Sequence, residues 1–170
     1  HDSLVSCLGY SPDGRLLASG SYDGRVRLWD TTDGSERACL PHPLDSLRCL
    51  AFSPDGTLLA TGGKDETVRL WNVRSKRELT LPEARRDGKV YGLAFSPDGR
   101  QLVAVCNNGS LNIWQIDPQK FHGNFAPASA TKGINGVSFS PKGELVAVAC
   151  GDGSIRLWQP EPWREATVLG

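Results

Sequence analysis

The feature that most limits what this chain can become is one turn written four times. Tyr10–Gly14 reads YSPDG, Phe52–Gly56 and Phe95–Gly99 read FSPDG, and Phe139–Gly143 reads FSPKG. The turn serines, Ser11, Ser53, Ser96 and Ser140, are 42, 43 and 44 residues apart, and a tryptophan follows each by 18: Trp29, Trp71, Trp114 and Trp158. The interval inside the unit is constant, while the joints from each tryptophan to the next serine lengthen through 24, 25 and 26 residues. A rigid unit with elastic joints is the signature of stacked supersecondary repeats.

Each unit reads as strands. The runs VSCLGY (Val5–Tyr10), LRCLAF (Leu47–Phe52), VYGLAF (Val90–Phe95) and INGVSF (Ile134–Phe139) are short and apolar, and each ends at Ser-Pro. Proline supplies the fixed φ of a turn, and the glycine at its fourth place takes a conformation that other residues avoid. A second run follows (LLASG, LLATG, QLVAV, LVAVA), then a turn, then VRLW, VRLW, LNIW and IRLW. A less regular fourth run closes the unit, as in ERACL (Glu36–Leu40), RELTL (Arg77–Leu81) and WREATVL (Trp163–Leu169). Helical spacing is absent. Four antiparallel strands per repeat predict an all-β propeller of four-stranded blades, with boundaries at 1–41, 42–83, 84–125 and 126–170.

On these residues the chain resembles the WD40-repeat family over essentially its whole length. The resemblance implies a His–Ser/Thr–Asp–Trp tetrad within a blade: His1, Ser19, Asp23 and Trp29 in the first repeat, and His42, Thr61, Asp65 and Trp71 in the second. The third repeat has Arg86, Ala104, Asn108 and Trp114 at these places, and the fourth Ala130, Val148, Asp152 and Trp158. Neither can build the full network, so both are expected to rely more on packing. Rings of this family resemble seven- or eight-bladed wheels, each blade turning the chain by about 45–51°. Four blades leave a half or partial propeller with a bare apolar face at each end. Further blades of a longer parent chain, a homodimer forming an eight-bladed ring, and a strained four-bladed closure all remain open. His1 as first residue and the lack of Met and of a signal-peptide pattern suggest a piece of a longer or processed chain.

Catalytic chemistry finds no footing. The histidines are His1, His42 and His122, and no phosphate loop, HExxH, GxSxG or metal-spaced Cys/His cluster occurs. The recurring carboxylates (Asp13, Asp55, Asp98 and Asp23, Asp65, Asp152) sit at turns. No enzyme activity, cofactor or metal is expected. Lys+Arg and Asp+Glu number 19 each, which argues against nucleic acid or a membrane surface as partner. Five cysteines form no CxxC pair, and their recurring places suggest buried thiols in a reducing, cytoplasmic setting.

What remains is binding. The resemblance implies a rigid platform that holds a peptide or protein against one rim of the central channel. The contact positions it implies lie beside the start of each first strand (Leu4 and Ser6, Ser46 and Arg48, Lys89 and Tyr91, Gly133 and Asn135) and before the turn Asp (Tyr22, Lys64, Asn107 and Gly151). Tyrosine and arginine are frequent interface anchors, and lysine beside them suits an acidic or phosphorylated peptide held by Arg48, Lys64 and Tyr91. The alternative is a regulatory or oligomerising module of a larger signalling protein, such as a bacterial kinase or NTPase. The irregular stretch Lys120–Gly133 is expected to supply the outer strand of the third blade, and Trp163 to lie on that of the fourth.

Overall fold

The computed structural model describes residues 1–41, 46–82, 88–116, 120–125 and 133–170. These form sixteen strands in four antiparallel four-stranded sheets, with no helix among the described residues. The first blade holds β1 (Val5–Tyr10), β2 (Leu16–Ser21), β3 (Arg25–Asp30) and β4 (Glu36–Pro41). The second holds β5 (Leu47–Phe52), β6 (Leu58–Gly63), β7 (Val68–Asn72) and β8 (Glu78–Leu79). The third holds β9 (Val90–Phe95), β10 (Gln101–Cys106), β11 (Leu111–Gln115) and β12 (Lys120–Phe125). The fourth holds β13 (Ile134–Phe139), β14 (Val146–Cys150), β15 (Ile155–Pro160) and β16 (Trp163–Leu169). Within each sheet the strands follow chain order, and the first strands of successive blades lie against one another as the inner edge.

Three apolar clusters fill the three joints between blades. Leu28, Leu40, Leu59 and Trp71 lie between the first and second, Leu70, Val90, Phe95 and Trp114 between the second and third, and Ile113, Ile134, Val148 and Trp158 between the third and fourth. Each sheet is therefore apolar on both faces and depends on its neighbours for burial. The ends show this by contrast. Leu8 and Tyr10 are 62% and 67% exposed, whereas Leu93 and Phe95, at the same places in the third repeat, are 9% exposed. At the far end Ile155 is 44% exposed, and its first-repeat counterpart Val26 is fully buried.

The repeated turn has two jobs. Ser11, Ser53 and Ser96 donate to Asp13, Asp55 and Asp98 at 2.6, 2.5 and 2.5 Å, and each hydroxyl also accepts the amide five residues on. The closing glycines have φ of 70–77°. The turns also nest from blade to blade. A Cβ on Gly56, Gly99 or Gly143 would lie 3.4, 3.6 or 3.4 Å from the proline of the preceding turn. Four copies of the turn thus space the sheets evenly at one end of the hub.

In the first blade the tetrad residues form a linear chain of bonds. The Trp29 indole donates to Ser19 Oγ at 2.8 Å, Ser19 lies 2.7 Å from His1 Nε2, and His1 Nδ1 lies 2.9 Å from Asp23. Because Ser19 accepts from the indole, its own proton points to Nε2, leaving Nδ1–H for the carboxylate. Burial would raise the Asp23 carboxyl, but the amides of Asp2 and Arg25 outweigh it and hold the group below the usual range. In the second blade Trp71 donates to Thr61 at 3.0 Å and Asp65 accepts from Thr67, while His42 lies outside the described residues. Arg86 and Ala130 lie outside them too.

The later blades differ, and the third departs from expectation. With Ala104 in place of a hydroxyl, the Trp114 indole donates to Pro82 O at 2.9 Å, across the joint. The outer strand of the second blade is also short, with β8 spanning Glu78–Leu79 instead of the expected Arg77–Leu81. In the fourth blade Trp158 Nε1 is buried without a partner among the described residues, opposite the apolar Val148. Strands three and four carry a further tie that the sequence reading overlooked. Arg27, Arg69 and Arg156 reach Glu36, Glu78 and Glu165 at 3.4, 2.7 and 3.3 Å; the third blade has Asn112 there. Trp163, on β16, is buried in the last cluster.

Two outcomes follow. Thr61→Val strands a buried indole donor and should lower stability by about 1–3 kcal/mol, whereas Val148→Thr gives Trp158 an acceptor and should be neutral or stabilising in denaturant titration. The turn serines hold Asp13, Asp55 and Asp98 below the ordinary aspartate value. A carboxyl depressed in the folded state stabilises above its unfolded pKa, and that contribution disappears as pH falls through the folded pKa. Ser53→Ala should therefore raise the Asp55 pKa, read by carboxyl NMR, and flatten the loss of stability below about pH 4.

Candidate functional site

The rim opposite the repeated turns is built by two recurring devices. First, a backbone bond ties the approach to each first strand to the residue before the inner turn. Tyr22, Lys64, Asn107 and Gly151 donate their amides to Leu4, Ser46, Lys89 and Gly133 at 3.0, 3.1, 3.0 and 2.7 Å. Each pair joins two positions that lie 18 residues apart in the chain. Second, every first strand has a β-bulge one residue in. The ladder steps from Val5 to Cys7 against Ser21 and Gly20, from Leu47 to Cys49 against Gly63 and Gly62, from Val90 to Gly92 against Cys106 and Val105, and from Ile134 to Gly136 against Cys150 and Ala149.

The extra residues are Ser6, Arg48, Tyr91 and Asn135. A bulged residue is freed from the regular alternation, and its side chain is re-aimed. The space beneath is tight, since a Cβ on Gly63 would lie 2.5 Å from Ser46 O. Ser46 itself sits at φ 74°, a conformation that costs a non-glycine residue about 1 kcal/mol or more.

Four of the expected rim residues meet. The Arg48 guanidinium carbon lies 5.4 Å from the Tyr22 ring centre and 5.1 Å from that of Tyr91. Lys64 Nζ lies 5.2 Å from the Tyr22 ring. One arginine of the second blade thus bridges tyrosines of the first and third, and Tyr22 faces two cations. Each such contact contributes about 0.5–2 kcal/mol, more where water is excluded. Arg48 Nε is buried without a partner among the described residues. The π-electron faces of the two rings stabilise the cation.

The other expected positions are placed differently. The Ser6 hydroxyl donates to Leu47 O at 2.5 Å, joining the first two blades. Asn107 Oδ1 accepts the Lys89 amide at 2.8 Å, so this side chain ties the inner turn to the approach of β9 while the Lys89 side chain is exposed. Asn135 is exposed, and beside Gly133 and Gly151 it leaves the fourth blade without charge at the rim. The cationic and aromatic character therefore lies over the first three blades.

The described residues contain no group of three or more His, Cys, Asp or Glu placed to hold a metal, and no helix of the structure is long and apolar enough to cross a membrane. The cysteines are free thiols, and burial pushes the Cys7 and Cys49 thiols above the usual value.

The family model of the WD domain, G-beta repeat, matches residues 1–30, 34–72, 76–115 and 119–159. The chain belongs to the WD40-repeat family. A 34-residue stretch, 20% of the chain, is 56% identical to 10% of the serine-threonine kinase receptor-associated protein of Gallus gallus. Another, 46 residues and 27% of the chain, is 46% identical to 10% of the WD repeat, SAM and U-box domain-containing protein 1 of the same organism. A third, 34 residues and 20% of the chain, is 47% identical to 7% of ribosome assembly protein 4 of Saccharomyces cerevisiae. Each match covers a tenth or less of the relative's own length.

Proposed function

We propose that this WD40 chain is a non-catalytic scaffold whose rim holds an acidic peptide or protein segment across its first three blades. The observation that carries this reading is the cluster in which Arg48 lies against the Tyr22 and Tyr91 rings while Lys64 lies against Tyr22. A guanidinium is a planar donor suited to a carboxylate or phosphate, and Lys64 adds a second charge beside it. Tyrosine and arginine in one fixed cluster are also the residue types that dominate interface energetics. The free thiols support a reducing, cytoplasmic location.

The test uses a fluorescein-labelled peptide rich in Asp and Glu, with a phosphoserine version beside it. Arg48→Ala should weaken binding about tenfold or more, Arg48→Lys should fall between, and affinity should drop with added salt. Equal affinity of wild type and a folded Arg48→Ala/Lys64→Ala/Tyr91→Ala variant would reject the reading.

The bare end faces support a second reading, that of a module within a larger assembly. Leu8 and Tyr10 at one end and Ile155 and Leu169 at the other are the kind of surface that a further blade covers elsewhere in the same chain. Those blades belong to a longer parent chain or to a second copy completing an eight-bladed ring. Light scattering at micromolar concentration separates the two. A dimer mass that Leu8→Asp returns to a monomer supports the copy, and a strict monomer excludes it.

A further inference from the structure

The outer edge of the second blade is unfinished. In the first blade, β4 pairs with β3 from Arg25 to Trp29, but β8 pairs with β7 only at Leu70 and Trp71. The Asn72 amide donates to Arg77 O on the β8 side, and successive strand residues alternate their backbone bonds between neighbours. Leu70 and Val68 therefore face the same way as Asn72. Val68 thus directs its backbone N–H and C=O toward the register position of Leu81, which forms no strand bridge with it.

A second change falls at the same place. The other blades carry an arginine on the third strand, paired with a glutamate of the fourth. The third blade has the shorter Asn112, which faces the joint with the second blade alongside Trp114. Asn112 is 3% exposed; its Nδ2 lies 3.5 Å from Cys106 Sγ, and its Oδ1 is buried without a partner among the described residues. A missing half-strand on one side and a missing guanidinium on the other leave a groove of about 450 Å³ between Val68, Leu79, Pro82, Asn112 and Trp114. Glu66 also lines it and has no ion pair among the described residues, whereas the neighbouring Glu78 is taken by Arg69.

We propose that this groove is a β-augmentation site for an extended peptide segment carrying a lysine or arginine. The segment continues the line of β8 and exchanges backbone bonds with Val68. Both unengaged side-chain groups, Asn112 Oδ1 and the Glu66 carboxylate, are acceptors, so the complementary guest is a cationic donor. Its charge stands where the other blades place their own arginine. Main-chain bonds supply attraction and the side-chain position supplies selectivity, as in other strand-addition sites. This site is separate from the rim and has the opposite charge preference.

The test titrates the isotopically labelled protein with the capped peptide acetyl-Ser-Val-Lys-Val-Ser-amide. Saturable shifts at the Val68 amide and the Asn112 side chain are expected, with amide exchange at Val68 slowed about tenfold at saturation. Replacing the lysine with glutamate should weaken binding about tenfold or more. Asn112→Arg restores the cation of the other blades and should abolish binding; Glu66→Lys, on the half-buried inner turn, gives the same result if that variant does not fold. Arg48→Ala should leave binding unchanged, which separates this site from the rim. The proposal is overturned by the absence of saturable shifts at millimolar peptide, by equal binding of the glutamate peptide, by full protection of the Val68 amide before peptide is added, or by wild-type affinity in a folded Glu66→Lys variant.

Discussion

The constraint on which everything else rests is that no blade can bury itself. Each four-stranded sheet is apolar on both faces, so its stability comes from the joints it shares, and a joint needs two sheets at a fixed spacing. The repeated turn sets that spacing at one end, where each proline nests on the next glycine. The tie from Trp114 to Pro82 crosses one of the joints within the stack. Stacked in this way, the sheets place every first strand inward and every bulge at the same height.

From that alignment the binding face follows. A bulge alone only redirects a side chain; four at one level put Ser6, Arg48, Tyr91 and Asn135 in a row along the hub. The cross-ties from Tyr22, Lys64, Asn107 and Gly151 bring a second row beside it. Arg48 meets two tyrosines because the joints on either side of its blade hold them there. The cluster is tertiary in origin, and none of its contacts lies within a single repeat.

This explains what could be read from the chain alone. Strand order and the apolar joints were legible because a two-residue period and a recurring turn encode them locally. The mutual contacts of Tyr22, Arg48, Lys64 and Tyr91 were not, since their residues come from three repeats and meet only through the bulges and the cross-ties beside them. The pairing of Arg27, Arg69 and Arg156 with glutamates was visible in principle: an arginine two before each tryptophan and a glutamate seven after it recur in three repeats. The shortened β8 could not be foreseen from its own segment, because Glu78–Leu81 alternates polar and apolar residues as a longer strand would.

Where the repeats diverge, their divergence has a direction. A repeat with its hydroxyl, such as the second, satisfies the indole from inside the blade and leaves its neighbour's outer strand intact. With Ala104 in place of the hydroxyl, the indole is satisfied across the joint by Pro82 O, just past the short β8. In the fourth blade the same loss at Val148 finds no such answer among the described residues, and the indole donor is left buried. The difference lies in what stands opposite, the early departure of β8 in one joint against the third blade's β12 in the other, which pairs along β11 from Leu111 to Gln115. Loss of the hydroxyl thus accompanies a short outer strand in one joint and a full one in the other, while the rim around Arg48 stays as the bulges set it.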